Sequence, residues 1–176
     1  MSKLKAKLLR AASGPSPDSF WKHREKALSS GKIGALYHLL RMNRILRIRG
    51  AFIPLQAEFS SVPRLPHDLN GIFISSGAKI GKGCVIYHQV TIGSVTSEGS
   101  KHRGSPCIGD NVILGAGAKV IGGVHIGNNV RIGANCVVSE DVPDNATVVL
   151  PHPRVLLREE ARDNRFIPVR DFRDAD

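Results

Sequence analysis

The stretch CIGDNVILGAGAKVIGGVHIGNNVRIGANCVVSEDV, residues 107–142, decides the fold. An aliphatic side chain recurs every six positions, at Ile108, Leu114, Val120, Ile126, Ile132 and Val138. Glycine follows four of them, as Gly109, Gly115, Gly127 and Gly133. Four places after each aliphatic stands a small or β-branched residue: Val112, Ala118, Val124, Val130 and Cys136. A helix repeats every 3.6 residues and a half-buried strand every two, so a period of six is neither. It fits a coil with three short flat faces, one hexapeptide to a face and about eighteen residues to a turn. The aliphatic fills the interior and the small residue fits the corner beside it. The glycine is expected to permit a tight turn or a positive φ.

The period extends towards the N-terminus. A second run is Ile74, Ile80, Ile86 and Ile92, with Gly81 and Gly93 behind two of them and Ala78, Cys84 and Val90 at the small position. A weaker run is Ile53, Phe59 and Leu65. Such a coil buries its interior only when several turns stack, and the thirteen hexapeptides give roughly four to five turns. The expected fold class is therefore an all-β solenoid, a parallel β-helix of hexapeptide repeats over residues 51–156. The register is lost at 94–107 (SVTSEGSKHRGSPC), which reads as a protruding loop.

Residues 1–50 form a basic, mainly helical segment. Residues 1–16 read as disordered or weakly helical, Ser16-Pro17-Asp18 starts a helix that Gly31 stops, and a second helix runs from Ile33 to about Ile48. Its apolar positions include Leu36, Leu39, Leu40 and Leu46, and Arg41, Arg44 and Arg47 make one face basic. Docking of the apolar stripe onto the first coil is the expectation; a peripheral helix lying on a membrane surface is the alternative. Residues 157–176 are a densely charged tail in which a short helix is possible.

Of the 25 Lys and Arg residues, twelve lie in residues 1–50 against two acids, while the rest of the chain is balanced. The net charge of +10 thus belongs to the N-terminal segment, which suits contact with phosphates or an anionic surface as well as plain solvation. Aromatics do not interleave the basic stretch, so no nucleic-acid module is expected. Cys84, Cys107 and Cys136 are odd in number and lack CxxC spacing, which argues against a disulfide framework or a cysteine-ligated zinc and for reduced thiols in the cytoplasm. No signal-peptide core and no membrane-spanning run is present in the sequence.

The segments GIFISSGAKIGKGCVIYHQVTIG (71–93) and CIGDNVILGAGAKVIGGVHIGNNVRIGANCVVSEDVPDNATVV (107–149) resemble the hexapeptide-repeat acyltransferases. Within them the chain looks like serine O-acetyltransferases, and still more like the short serine-acetyltransferase-like enzymes of bacterial polysaccharide clusters. The resemblance implies a left-handed coil, a homotrimer with active sites between subunits, and acetyl-CoA as donor without a metal. Serine acetyltransferases carry a long helical N-terminal domain, for which this chain has about fifty residues.

Acetyl transfer from a thioester to a hydroxyl needs a general base, a slot for the pantetheine arm and donors for the developing oxyanion. His67, in LPHDLNGIFI, resembles the family's base, with four residues from His to Gly where the family has three. The plain alternative is a corner histidine bonded to a carbonyl. Leu65 and Ile86 are expected on one prism face a coil apart, which stacks His67 under His88. His88 then lines the acceptor pocket, orients His67, or has no role. His102, in KHRGSPCIG, loosely matches the family's substrate-binding loop histidine. The family's aspartate partner of the base would fall at Phe52, leaving Glu58 or Asp68 as substitutes. Gly115, Ala116, Lys119 and Ala134 match the coils that flank the pantetheine arm, and Arg154 in LPHPR retains one residue of a family motif. Carbonic anhydrases that share this fold hold zinc with three histidines, two of them closely spaced, and no such pair occurs here.

The function expected is O-acetylation from acetyl-CoA, of a sugar hydroxyl in surface-polysaccharide synthesis. Serine is the alternative acceptor. Sugar N-acetylation and a non-catalytic trimeric scaffold are the further ones.

Overall fold

The computed structural model describes residues 16–161. Expectations for residues 1–15 and for the tail from 162 lie outside the described residues. The chain opens with helix α1 (Pro17–Ser29) and helix α2 (Lys32–Ile48). Pro17 and Asp18 favour the first turn of α1, where a missing N–H costs nothing and a carboxylate meets the helix dipole.

The coil follows. Its first turn contributes Phe52, β1 (Glu58–Phe59) and Arg64; the second, β2 (Phe73–Ile74), β3 (Lys79–Ile80) and β4 (Val85–Ile86). The third holds β5 (Thr91–Gly93), β6 (Cys107–Ile108) and β7 (Ile113–Leu114); the fourth, β8 (Lys119–Ile121), β9 (His125–Ile126) and β10 (Arg131–Ile132). The fifth has β11 (Val137–Val138), Val142 and β12 (Thr147–Val148). All pairings between these strands are parallel and make three four-stranded sheets. Sheet A is β2-β5-β8-β11, sheet B is β1-β3-β6-β9 and sheet C is β4-β7-β10-β12. The chain visits A, B and C in that order on every turn, so each corner lies between the same two sheets throughout.

Register sets the interior. Ile74, Ile92 and Val120 stack in sheet A, Ile80, Ile108 and Ile126 in sheet B, and Ile86, Leu114 and Ile132 in sheet C. All are at most 3% exposed, as are the small corner residues Ala78, Cys84, Val90, Val112, Ala118, Val124, Val130 and Cys136. Truncating one of these, as in Leu114→Ala, removes about 2–5 kcal/mol, because the stacked coils cannot collapse into the gap.

The glycines behind the aliphatics work differently from the sequence expectation. None of Gly81, Gly93, Gly109, Gly115, Gly127 and Gly133 has a positive φ. They are small because the next coil lies against them: a Cβ on Gly81 would sit 2.4 Å from the Gly109 carbonyl oxygen, and one on Gly127 2.5 Å from the Asp144 amide. The left-handed residues stand two places later. Among them are Gly83, Asn111, Asn129 and Asn145 at the B-to-C corner and Asp68, Gln89, Gly117 and Asn135 at the C-to-A corner; all but Gln89 are residue types that tolerate this conformation.

The B-to-C corner is sealed by side chains. Asp110 accepts from the Lys82 N–H (2.6 Å), Asn128 from the Asp110 N–H (2.8 Å) and Asp144 from the Asn128 N–H (2.6 Å). Each Asx thus caps an amide one coil below.

Helix α1 docks on the first coil. Trp21 packs edge-on between Phe20 and Phe59, both centroids 5.0 Å away. The Arg24 guanidinium lies over the Phe59 ring and donates to the carbonyls of Leu55 and Ala57. Helix α2 buries Met42, Ile45 and Leu46, and Leu39 in part, whereas Leu36 and Leu40 of the expected stripe face outwards. Cys107 belongs to β6, so the loop ends at Pro106, and the last strand, β12, ends at Val148. Residues 155–161 form no helix. The three cysteines are unpaired, and burial, with the Asp110 carboxylate adding to it, pushes the Cys84 thiol up despite a backbone hydrogen bond at Val112.

Between the helices the Nδ1 atoms of His23 and His38 lie 2.8 Å apart. Burial first, then the charges of His38, Arg41 and Lys26, hold His23 below its ordinary value of 6.5. The fold therefore favours neutral His23, and the unfolded chain takes up more protons as pH falls through 6.5. The urea midpoint is expected to drop between about pH 7.5 and pH 5.5, and His23→Gln is expected to flatten that drop. An unchanged slope in the variant would assign it elsewhere.

Candidate active site

The C-to-A corner gathers most of the residues singled out by sequence. Arg64 pairs with Val85, Ile86 with Leu114 and Leu114 with Ile132. Counting two places on from each aliphatic gives His67, His88, Ala116 and Ala134. They occupy one register position on four successive coils. Backbone bonds between coils hold the column: Gln89 N–H to Asn70 O (2.9 Å), Gly117 N–H to His88 O (3.0 Å) and Asn135 N–H to Ala116 O (2.8 Å).

The two histidines meet as the count of residues expects. Their Nδ1 atoms are 2.7 Å apart and their ring centroids 4.7 Å. One Nδ1 donates and the other accepts, so the contact exists only while at least one ring is neutral there. Both Nε2 atoms remain free to act outside the pair. Tyr87, which the sequence reading passed over, stands edge-on to His67 with centroids 5.4 Å apart. Its position next to His88 in the chain was the available signal. His67 is exposed and His88 half-buried.

Neither proposed carboxylate partners His67 within the subunit. Asp68 lies in the left-handed conformation, binds Arg49 at 2.6 Å and caps the Leu69 N–H at 2.7 Å. Glu58 pairs with Lys79 at 3.5 Å on the outside of sheet B. Phe52, where the family's aspartate would fall, lies outward at the edge of sheet A, 53% exposed. The partner of His67 is His88.

Above the histidines the column narrows to alanines. At the B-to-C corner the amide in this register position is capped by an Asx of the following coil. Here the following coil supplies Ala116 and Ala134, which carry no acceptor. Among the described residues the Ala116 and Ala134 N–H groups have no protein partner. The result is an uncapped edge of Gly115, Ala116 and Ala134 that carries free backbone donors and follows His88 along the column. Lys119 starts the adjoining strand of sheet A, exposed, with its Nζ 3.0 Å from the Gly117 carbonyl. Its ammonium stands at the rim.

His102 is not part of this column. The loop 94–106 leaves β5 at the A-to-B corner, the opposite edge of sheet A. Val95 and Gly104 exchange two backbone bonds of 2.9 Å at its base, and the His102 carbonyl accepts from Gly123 N–H (2.8 Å). The His102 Nε2 is buried without a partner, which costs about 1–3 kcal/mol unless something supplies one. Arg154 lies exposed in the segment that follows β12.

Comparison with known proteins bears on this corner. The bacterial transferase hexapeptide (six repeats) family model matches residues 108–140. The serine acetyltransferase of Mycobacterium tuberculosis is 48% identical over 79 residues, covering 45% of this chain and 34% of the relative. That of Synechococcus elongatus is 45% identical over 92 residues, covering 52% and 37%. The crystal structure of Neisseria gonorrhoeae serine acetyltransferase superposes with a TM-score of 0.61 at 30% identity, covering 90% of this chain and 57% of that one. Soybean serine acetyltransferase complexed with serine gives 0.60 at 32% identity, covering 73% and 52%. The chain spans less than half the length of these curated relatives.

If the bare amides of this edge bind a ligand, capping them will block it. Ala134→Asp places a carboxylate where Asn128 and Asp144 sit at the sealed corner. The affinity for coenzyme A is expected to fall about tenfold or more, with the melting temperature unchanged or raised. An unchanged affinity would show that these amides are not part of a coenzyme A site.

Proposed function

We propose that this hexapeptide-repeat chain, serine-acetyltransferase-like in sequence and fold, is an acetyl-CoA-dependent O-acetyltransferase. The observation that carries the reading is the single column in which a histidine pair stands directly beneath an edge of free amides. A base and a slot for an extended thioester arm are thereby adjacent.

In the reaction, His67 Nε2 takes the proton of an acceptor hydroxyl. For that its Nδ1 carries a hydrogen and donates to His88 Nδ1, which fixes the tautomer as a carboxylate does in related arrangements. The alkoxide attacks the thioester carbonyl, the tetrahedral oxyanion is met by backbone donors, and the C–S bond breaks. The proton on His67 passes to the departing thiolate. His67 is restored and no acetyl-enzyme forms. Edge residues Gly115, Ala116 and Ala134 hold the arm, and Lys119 at the rim suits a CoA phosphate. We assign the coil the left hand of the serine acetyltransferases it superposes on.

Serine is the acceptor that the similar proteins support best. A sugar hydroxyl is the second reading, favoured by a cleft of about 390 Å³ beside the strand that leads to His67. It lies between Asp18 and Trp21 of α1 and residues 62–66, including Arg64, and the buried Trp21 Nε1 has no partner. That volume lies within the range of small-ligand sites. Thiol release from acetyl-CoA, measured against serine, sugars and aminosugars, discriminates among these acceptors. His67→Ala is expected to lower turnover about a hundredfold or more while coenzyme A affinity holds; full turnover in the variant would remove the base from this position.

We also propose a homotrimer. The outward column of sheet A, which borders the histidine corner, includes Phe52, Phe73 and Val137, each about half exposed or more. A second subunit on this face covers them and brings its own loop to the corner, giving His102 a role in the neighbour's site. Light scattering is expected to give a mass of about three chains, and Phe73→Asp is expected to yield monomers without activity. An active monomer would contradict a shared site.

A further inference from the structure

Helix α2 is apolar on two opposite sides. One side, Leu39, Met42, Ile45 and Leu46, turns inward. The other, roughly half a turn away, carries Ile33 (89% exposed), Leu36 (58%), Tyr37 (55%), Leu40 (61%) and Ile48 (55%). At 100° per residue these fall on a single stripe, and Arg41, Arg44 and Arg47 are set among them, all exposed. Leu40, Asn43, Arg44, Arg47 and Ile48 line a shallow depression on it. No acidic residue occurs from Lys32 to Ala57. A contiguous stripe of large apolar side chains in water is an interaction surface.

We infer that this stripe docks on the surface of an anionic lipid bilayer. Charge chooses the occupant. A second copy meeting the stripe face to face would oppose arginine to arginine. The chain's own residues 1–15 contain four basic residues and no acid, so they too would be repelled. Lipid phosphates supply the opposite sign, and acyl chains accept the isoleucines and leucines between the guanidinium groups. Arginine stems can lie along the apolar layer with their heads at the phosphates. The helix has 17 residues, and no helix among the described residues is long and apolar enough to cross a membrane. It therefore lies in the interface. This inference is independent of the acetyl acceptor.

Co-sedimentation of the full chain with vesicles tests it. Vesicles of phosphatidylcholine with about one third phosphatidylglycerol are expected to bind the protein at least tenfold more tightly than pure phosphatidylcholine, and less so at high salt. Arg44→Glu with Arg47→Glu should weaken binding by about twentyfold or more. Leu36→Ser with Leu40→Ser should weaken it about tenfold or more. Both double variants replace exposed side chains, and circular dichroism should confirm an unchanged melt. No binding to the anionic vesicles would overturn the inference. So would binding that both variants retain, which would assign it to residues 1–15. An assembly larger than a trimer, broken by Leu36→Ser with Leu40→Ser and unaccompanied by vesicle binding, would replace the bilayer by a second copy.

Discussion

Everything in this molecule depends on the parallel register between successive coils. The register places residue on residue along the axis, so a property of one hexapeptide position becomes a property of a whole edge. Interior positions become columns of Ile, Leu and Val. Corner positions become columns of mostly Ala, Val and Cys, with the larger Leu69 and Ile72 only where the column begins. The coils approach so closely that a Cβ on Gly109 would lie 2.9 Å from Gly127 backbone atoms. Closeness of this kind lets one residue type, repeated, build a continuous surface along the prism.

The same register explains why two of the corners differ in use. The B-to-C corner carries Asp110, Asn128 and Asp144, and Asn111, Asn129 and Asn145 run in a second ladder, with amides 3.4 Å and 3.1 Å from the next oxygen. The Lys82, Asp110 and Asn128 amides of this corner are satisfied internally. The C-to-A corner carries His67, His88, Ala116 and Ala134 in the equivalent position. Two imidazoles are followed by two methyl groups, and the amides above are left bare. An edge that gives up its caps loses some stability and gains donors, a usual bargain at a binding site.

Much of this was legible in the sequence because the repeat is a direct image of the register. The interior, the small corners and the meeting of His67 with His88 follow from counting residues from Leu65 and Ile86. Other features depend on contacts that counting does not reach. Asp68 is unavailable to His67 because Arg49, from the helical segment, takes it. The glycines answer to the coil above them rather than to their own φ. His102 is separated from His67 by the width of sheet A, and only a neighbouring subunit would bring the two together. For α2 the sequence left a docked stripe and a membrane-surface helix as alternatives, since periodicity cannot tell which of two opposite faces finds a partner.

The central claim is that the C-to-A column is where the donor binds. Hydrogen exchange at the Ala116 and Ala134 amides, followed residue by residue by NMR with and without coenzyme A, tests it most directly. The account predicts that both amides exchange quickly in the free protein and slow markedly when coenzyme A is added, while the capped amides of Asp110 and Asn128 do not change. Exchange at Ala116 and Ala134 that coenzyme A leaves untouched, with protection appearing at another edge, would contradict it.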